Sequence, residues 1–242
     1  MLQAQSGSIP AGLYAWEKLP VKKSAEREGR QLMEGSSPHF DYLEIHATTQ
    51  VEGATPAPPH AQTDIEEVII VKEGIMEFTM DGEKATLGPG SVILIPPLAM
   101  QALQNVGEGP LTYYVMMFRS HQPMDMARSE AAGGHLFIKA DTLAVRKTGK
   151  GASISYFDRP TAMCERFEMH VTQLDRPGPS HAPHTHEDSE AILVIEGETE
   201  MTIDGKTYRG KAGDLYFIPS GLEHGISNVG DTPCRYFAYR WR

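Results

Sequence analysis

The sequence predicts an all-β protein built from two tandem, jelly-roll-like antiparallel β-barrels. Three observations carry that expectation: an internal repeat, many short β-branched runs closed by turn residues, and few helix signals. The repeat emerges at an offset of 123 residues, which aligns Glu67 with Glu190, Gly74 with Gly197, Gly82 with Gly205 and Gly90 with Gly213. The same offset aligns Pro96 with Pro219, Asn105 with Asn228 and Pro110 with Pro233. Upstream the offset becomes 124, pairing Glu44 with Glu168, His46 with His170 and His60 with His184, so one extra residue lies between Gln62 and Glu67. Expected boundaries are an N-terminal arm over 1–38, a first barrel over 39–119, a connector over 120–151 and a second barrel over 152–242.

The elements follow in chain order. Ser24 suggests an N-cap for a helix over Ala25–Met33, although Gly29 inside it costs about 1 kcal/mol relative to Ala. Val68–Val71 is an apolar, β-branched strand, and Met76–Met80 runs into Asp81-Gly82, a hairpin signal because both turn positions need positive φ. Ser91–Ile95 is a further strand, stopped by proline. A short helical turn is expected near Met124–Glu130. In the second copy Ala191–Ile195, the hairpin at Asp204-Gly205 and Asp214–Ile218 repeat the pattern.

Composition narrows the function classes. The 242 residues carry 22 Lys+Arg against 32 Asp+Glu, a net charge of −10, and no basic run longer than a pair such as Lys22-Lys23. Nucleic acid is thereby excluded as a partner, since phosphate binding needs a basic stripe. No run of about 18 apolar residues could cross a membrane as a helix. Two cysteines, Cys164 and Cys234, cannot form a disulfide framework or a cysteine-rich zinc site, and buried free thiols are the expectation for both. Met1–Ser6 lacks the basic and apolar regions of a signal peptide, which makes the cytoplasm the default, with export after removal of a signal as the alternative.

Pro183-His184-Thr185-His186 and the downstream Glu190 hold the chemistry. Residues two apart on a strand share a face, so His184, His186 and Glu190 are expected to point one way. Two imidazoles and a carboxylate on one face are metal ligands by type. His224 follows Pro219-Ser220-Gly221, a turn that returns the chain toward the same face and offers a fourth ligand. His181 reads as a loop residue, and His46 and His170 as strand-packing residues. Glu168, Met169, Tyr216 and Phe217 are expected to line or back the second barrel.

These stretches resemble the paired motifs of the cupin superfamily. The first motif is matched by Gly178, His184, His186, Glu190 and Gly197, the second by Gly213, Pro219, Gly221, His224 and Asn228. With the repeat, the resemblance implies a bicupin whose second barrel holds one divalent transition metal, among Mn, Fe, Co, Ni, Cu and Zn, on three histidines and Glu190. The first copy departs from the pattern: its equivalents are His60, Gln62, Glu67 and Gln101, and the Pro-x-Gly turn becomes Pro96-Pro97-Leu98. It reads as a structural or substrate-shaping barrel, with a poorer second metal site as the competing reading. The extra residue before Glu67 calls for a bulge or bend to aim Gln62 and Glu67 together.

The expected function is a single-metal enzyme acting on a small, oxygen-rich metabolite, with a quercetinase-like dioxygenase ahead of a hydrolase or isomerase such as the ureidoglycine aminohydrolases. A non-catalytic small-molecule binder is the other class, and homodimerisation through exposed strand edges stays open.

Overall fold

A computed structural model describes residues 7–242; Met1–Ser6, which carry the compartment expectation, lie outside the described residues. Each copy pairs a seven-stranded sheet with a smaller one, of three strands in the first copy and four in the second. All strand pairings within these sheets are antiparallel. Both Asp-Gly hairpins form as expected: Asp81 and Gly82 have φ of 48° and 88°, Asp204 and Gly205 of 47° and 73°. No helix among the described residues is long and apolar enough to cross a membrane.

The helix expected from Ala25 is a strand, Arg27–Gly35, paired with Phe40–Gln50. Its burial alternates only near the end, where Leu32, Met33 and Gly35 are buried. Cross-strand pairing therefore overrides a weak local preference. The short helix near Met124 is present as Met126–Ala131, capped by Asp125, whose side chain accepts from the Arg128 N–H.

The repeat extends beyond the expected barrel boundaries. Gly12–Tyr14, in the segment expected as an arm, pairs with Leu215–Ile218 of the second copy. Its counterpart 124 residues later, Leu136–Ile138 in the expected connector, pairs with Val92–Ile95 of the first copy. Each copy thus donates its leading strand to the other's large sheet. Val21–Lys23 and Arg27–Gly35 complete the first sheet, as Arg146–Thr148 and Gly151–Arg159 complete the second. These strands are short or half-exposed and lack apolar runs, so periodicity does not announce them.

The large sheets pack against each other across one shared core. Phe40 stacks on Trp241 at 5.5 Å and on Phe118 at 4.8 Å, and Phe118 meets Phe167 edge-on at 5.6 Å. Met169 and Phe217 belong to this inter-barrel core, whereas Tyr216 is buried inside the second barrel with its hydroxyl 3.0 Å from that of Thr199. Smaller apolar clusters fill each barrel. Cys164 and Cys234 are buried and free.

A buried carboxylate ties the two copies. Oε2 of Glu66, on the first copy's strand Glu66–Glu73, accepts from the Thr161 hydroxyl at 2.7 Å and the Met163 N–H at 2.9 Å. Burial pushes its pKa up to about 7. Because the folded state holds the proton more tightly than the unfolded chain, Glu66 contributes less stability as pH rises from 4.5 to about 7. Glu66→Gln should remove that decline, worth about 3 kcal/mol at most, and urea titrations at pH 5 and pH 8 will measure it. The exchanged strands also require the copies to unfold together: calorimetry should give a single transition, and neither copy expressed alone should be stable.

Candidate metal centre

The second barrel brings together all four candidate ligands. His184 does not lie on a regular strand; it forms a lone antiparallel bridge with His224, the first residue of His224–Asn228. His186 sits in the extended loop before Ser189–Glu196, which carries Glu190. The expected shared face of one strand is therefore replaced by a loop and two strands meeting at the mouth. Ring centroids of the three histidines lie 4.6–5.2 Å apart, and nitrogens of His184, His186 and His224 lie within 4.8 Å of one another.

Hydrogen bonds orient two of the rings. Nδ1 of His186 lies 2.8 Å from the Asp188 carbonyl and Nδ1 of His224 lies 2.8 Å from the Leu222 carbonyl. A nitrogen facing a carbonyl carries the proton, which leaves Nε2 as the ligating atom. Both Nε2 atoms face one oxygen, Oε2 of Glu190, at 3.2 and 3.0 Å. Nδ1 of His184 is buried with no protein partner. Burial raises the Glu190 pKa, but the hydrogen bonds from His186 and His224 outweigh it and hold the carboxyl at about 2. Its hydrogen bond to Glu190 raises the pKa of His186, whereas burial and the neighbouring imidazoles lower that of His184. An ionised carboxylate, two imidazoles with Nε2 directed inward and a third with an unpartnered buried nitrogen fit a divalent transition metal.

The loop carrying His186 is braced from two sides. Arg166 donates to Asp188 at 3.0 Å, and Nε2 of His39, from the first copy, lies 2.9 Å from the Glu187 carbonyl. At the turn before His224, Gly221 has φ of 79° and its N–H donates to the His186 carbonyl at 2.9 Å.

Below the ligands, a cavity of about 570 Å³ reaches into the barrel. Cross-strand rows build its wall: Arg240 and Glu190 stand opposite one another and line it, with Glu168 behind them on the far side of Arg240. His170, Ala238 and Ile192 line it in the next row on that face. Oε2 of Glu168 accepts from Nε of Arg240 at 3.1 Å and lies 3.0 Å from its Nη2, while Oε1 bonds Nδ1 of His170 at 2.6 Å. Arg240 and Tyr236, which also line the cavity, escaped sequence reasoning. The signal that could have found Arg240 is its counterpart in the repeat, Met117. His170 also lines this cavity, beyond the packing role expected for it, while His181 stands at the mouth, its ring 4.5 Å from that of His184.

The first barrel keeps the frame and changes the chemistry. His60 bridges Gln101 as His184 bridges His224. The Thr63-Asp64 bend matches Glu187-Asp188, and the extra residue is Ile65, placed between that bend and the strand from Glu66, so the strand itself needs no bulge. Leu98 replaces Gly221 without altering the turn: its φ is 70°, and its N–H donates to the Gln62 carbonyl at 2.7 Å. Loss of the glycine therefore leaves the backbone that carries Gln101 unchanged at this turn; a leucine takes the left-handed conformation at a cost of roughly 1–2 kcal/mol. Burial raises the Glu67 pKa, opposed by hydrogen bonding from Gln101 and Gln62. That contact is loose, since Oε1 of Glu67 and Nε2 of Gln101 lack a well-aligned partner. Glu44 and His46 remain paired at 3.0 Å, whereas Met117 occupies the place of Arg240 between Glu44 and Glu67.

The cupin domain family model matches residues 47–117 and 171–239, so the chain belongs to the cupin family, and the two matches make it a bicupin. An oxalate-binding protein of Thermotoga maritima is 29% identical over 103 residues, 42% of this chain and 85% of that one. Among solved structures, the YlbA protein of E. coli superposes with a TM-score of 0.74 at 15% identity, covering 100% of this chain and 93% of that one. Oxalate decarboxylase of Lactobacillus farciminis superposes with a TM-score of 0.74 at 13% identity, covering 98% and 87%. At these identities the structures speak for the fold alone.

Purified protein should contain one equivalent of divalent transition metal, lost in His186→Ala and retained in Gln62→Ala and Gln101→Ala. Elemental analysis decides; a second equivalent that vanishes in Gln101→Ala would place a metal in the first barrel as well.

Proposed function

We propose that the protein is a single-metal bicupin enzyme whose second barrel acts on a small, oxygen-rich metabolite bearing a carboxylate. The observation that carries this reading is the row Glu168–Arg240–Glu190, which sets a guanidinium in the same cavity as the ligand cluster. His184, His186, Glu190 and His224 would hold the metal, which when bound supplies a Lewis acid for substrate oxygens. Arg240 supplies charge and directionality for a carboxylate: Nη1 has no protein partner among the described residues, while Glu168 fixes the other two nitrogens. His170, bonded to Glu168 at the cavity wall, is placed to hold a proton at its other ring nitrogen.

The chain's own repeat supports this division of roles. Where Gln62 and Gln101 replace two imidazoles, Met117 also replaces Arg240, so ligands and guanidinium are lost together. A carboxylate ligand also accords with the oxalate-binding relative.

Oxalate and pyruvate are suitable probes. Arg240→Met, which copies the first barrel, should weaken their binding to the metal-loaded protein by about tenfold or more while leaving metal content unchanged. Failure of either probe to bind, or unchanged affinity in Arg240→Met, would count against the reading. An oxygen electrode then separates the dioxygenase chemistry expected from the sequence, which consumes oxygen, from hydrolysis or isomerisation, which does not.

A further inference from the structure

A second cavity, of about 470 Å³, opens between the barrels and is remote from the candidate ligands. Its walls come from both copies: Ile70 and its counterpart Leu193 belong to the shared core beside it, and Val71 and Val194, whose side chains pack inside the barrels, also line it. The internal repeat makes its two halves directly comparable. In one half, Trp16 caps the junction: its backbone N–H donates to Asp214 at 2.8 Å, and its indole lies edge-on to Tyr114 at 5.7 Å. The same indole lies so close to Gly213 that a Cβ there would come within 3.2 Å, and Arg30 sits 4.5 Å over its ring.

In the other half the residue equivalent to Trp16 is Ala140. The turn is held in the same way, with the Ala140 N–H donating to the Ser91 hydroxyl at 3.3 Å. The neighbours differ in character: Ile154 stands in the place of Arg30, Ile195 in that of Lys72 and Phe237 in that of Tyr114. All three line the cavity, as do Ala140 and Gly90. An indole's volume is missing here, and its surroundings are apolar where the other half is cationic. Tyr156 walls the slot, its ring 5.2 Å from Phe237 and its hydroxyl fixed on the Gly90 carbonyl at 2.8 Å. At the rim stands Arg235, whose ion pair with Glu196 is stretched to 3.9 Å.

We propose that this inter-barrel slot binds a planar aromatic carboxylate, its ring seated where the other half places the Trp16 indole and its carboxylate on Arg235. Lys72 and Glu73 also line the cavity, with Lys72 lying 5.4 Å over the Trp16 ring in the other half. In this half an apolar slot meets Arg235 at its rim, which selects for that combination. The site is independent of the metal centre.

Indole-3-carboxylate and neutral indole, titrated into the metal-loaded protein and followed by calorimetry, test the assignment. Both should bind saturably at one site per chain, the carboxylate more tightly. Ala140→Trp fills the slot with the protein's own side chain and should abolish both titrations. Arg235→Gln, a surface change that leaves the core intact, should weaken the carboxylate by about tenfold and leave indole unchanged. His186→Ala should bind both as the wild type does. Absence of saturable binding to the wild type overturns the proposal, as does unchanged affinity in folded Ala140→Trp. Loss of carboxylate binding in His186→Ala alone would also overturn it, because the ligand would then sit at the metal centre. If Ala140→Trp does not fold, equal affinity of Arg235→Gln and wild type for the carboxylate is decisive against it.

Discussion

The exchange of leading strands between the two copies is the constraint on which the rest of the structure depends. Gly12–Tyr14 closes the edge of the second copy's large sheet, and Leu136–Ile138 closes that of the first. Each exchange covers an otherwise unpaired strand edge with a segment that cannot leave without unravelling the partner copy. The large sheets are thereby held face to face, and Phe40, Phe118, Phe167 and Trp241 pack in one core rather than two. The same arrangement brings His39 against the loop of His186 and Glu66 against the Thr161–Cys164 turn. The candidate metal centre belongs to the second barrel by its side chains and to both barrels by its support.

That support explains how the copies can share a backbone and differ in chemistry. His60 and Gln101 bridge as His184 and His224 do, and Leu98 keeps the left-handed turn of Gly221 against its own steric preference. A fold that enforces an unfavourable conformation on a leucine determines where the side chains at positions 62, 67 and 101 stand. What those side chains do is decided by donor type. Amides can quiet a buried carboxylate, but they are weaker donors than imidazoles toward a transition metal. Glu190 illustrates the opposite case, one oxygen facing two imidazole nitrogens with the carboxyl held at about 2.

Much of this was legible in the sequence. The repeat, the hairpins at Asp81-Gly82 and Asp204-Gly205 and the four candidate ligands are encoded locally, in residue types whose conformational or chemical demands are narrow. Arg27–Gly35 was not, because its strand character comes from Phe40–Gln50 alongside it and not from its own periodicity. The exchanged strands were hidden for a similar reason: three residues carry too little pattern to name a partner in the other copy. The row joining Glu168, Arg240 and Glu190 depends on the register of three strands far apart in the chain. Only comparison of Arg240 with Met117 across the repeat hints at it.

The exchanged N-terminal strand also sets the order of events during synthesis. Leu13 pairs with Tyr216, about 200 residues downstream. At roughly 5–20 residues per second, the strand leaves the ribosome some ten to forty seconds before its docking site exists. The edge at Val92–Ile95 waits a shorter time for Leu136–Ile138, roughly two to nine seconds for about 45 residues. The nascent first copy therefore covers its own sheet edge early, while Gly12–Tyr14 stays a loose end until Leu215–Ile218 of the second copy emerges. Translation speed past residue 138 determines how long that loose strand, and the face of the first sheet that the second will cover, meet the rest of the cell.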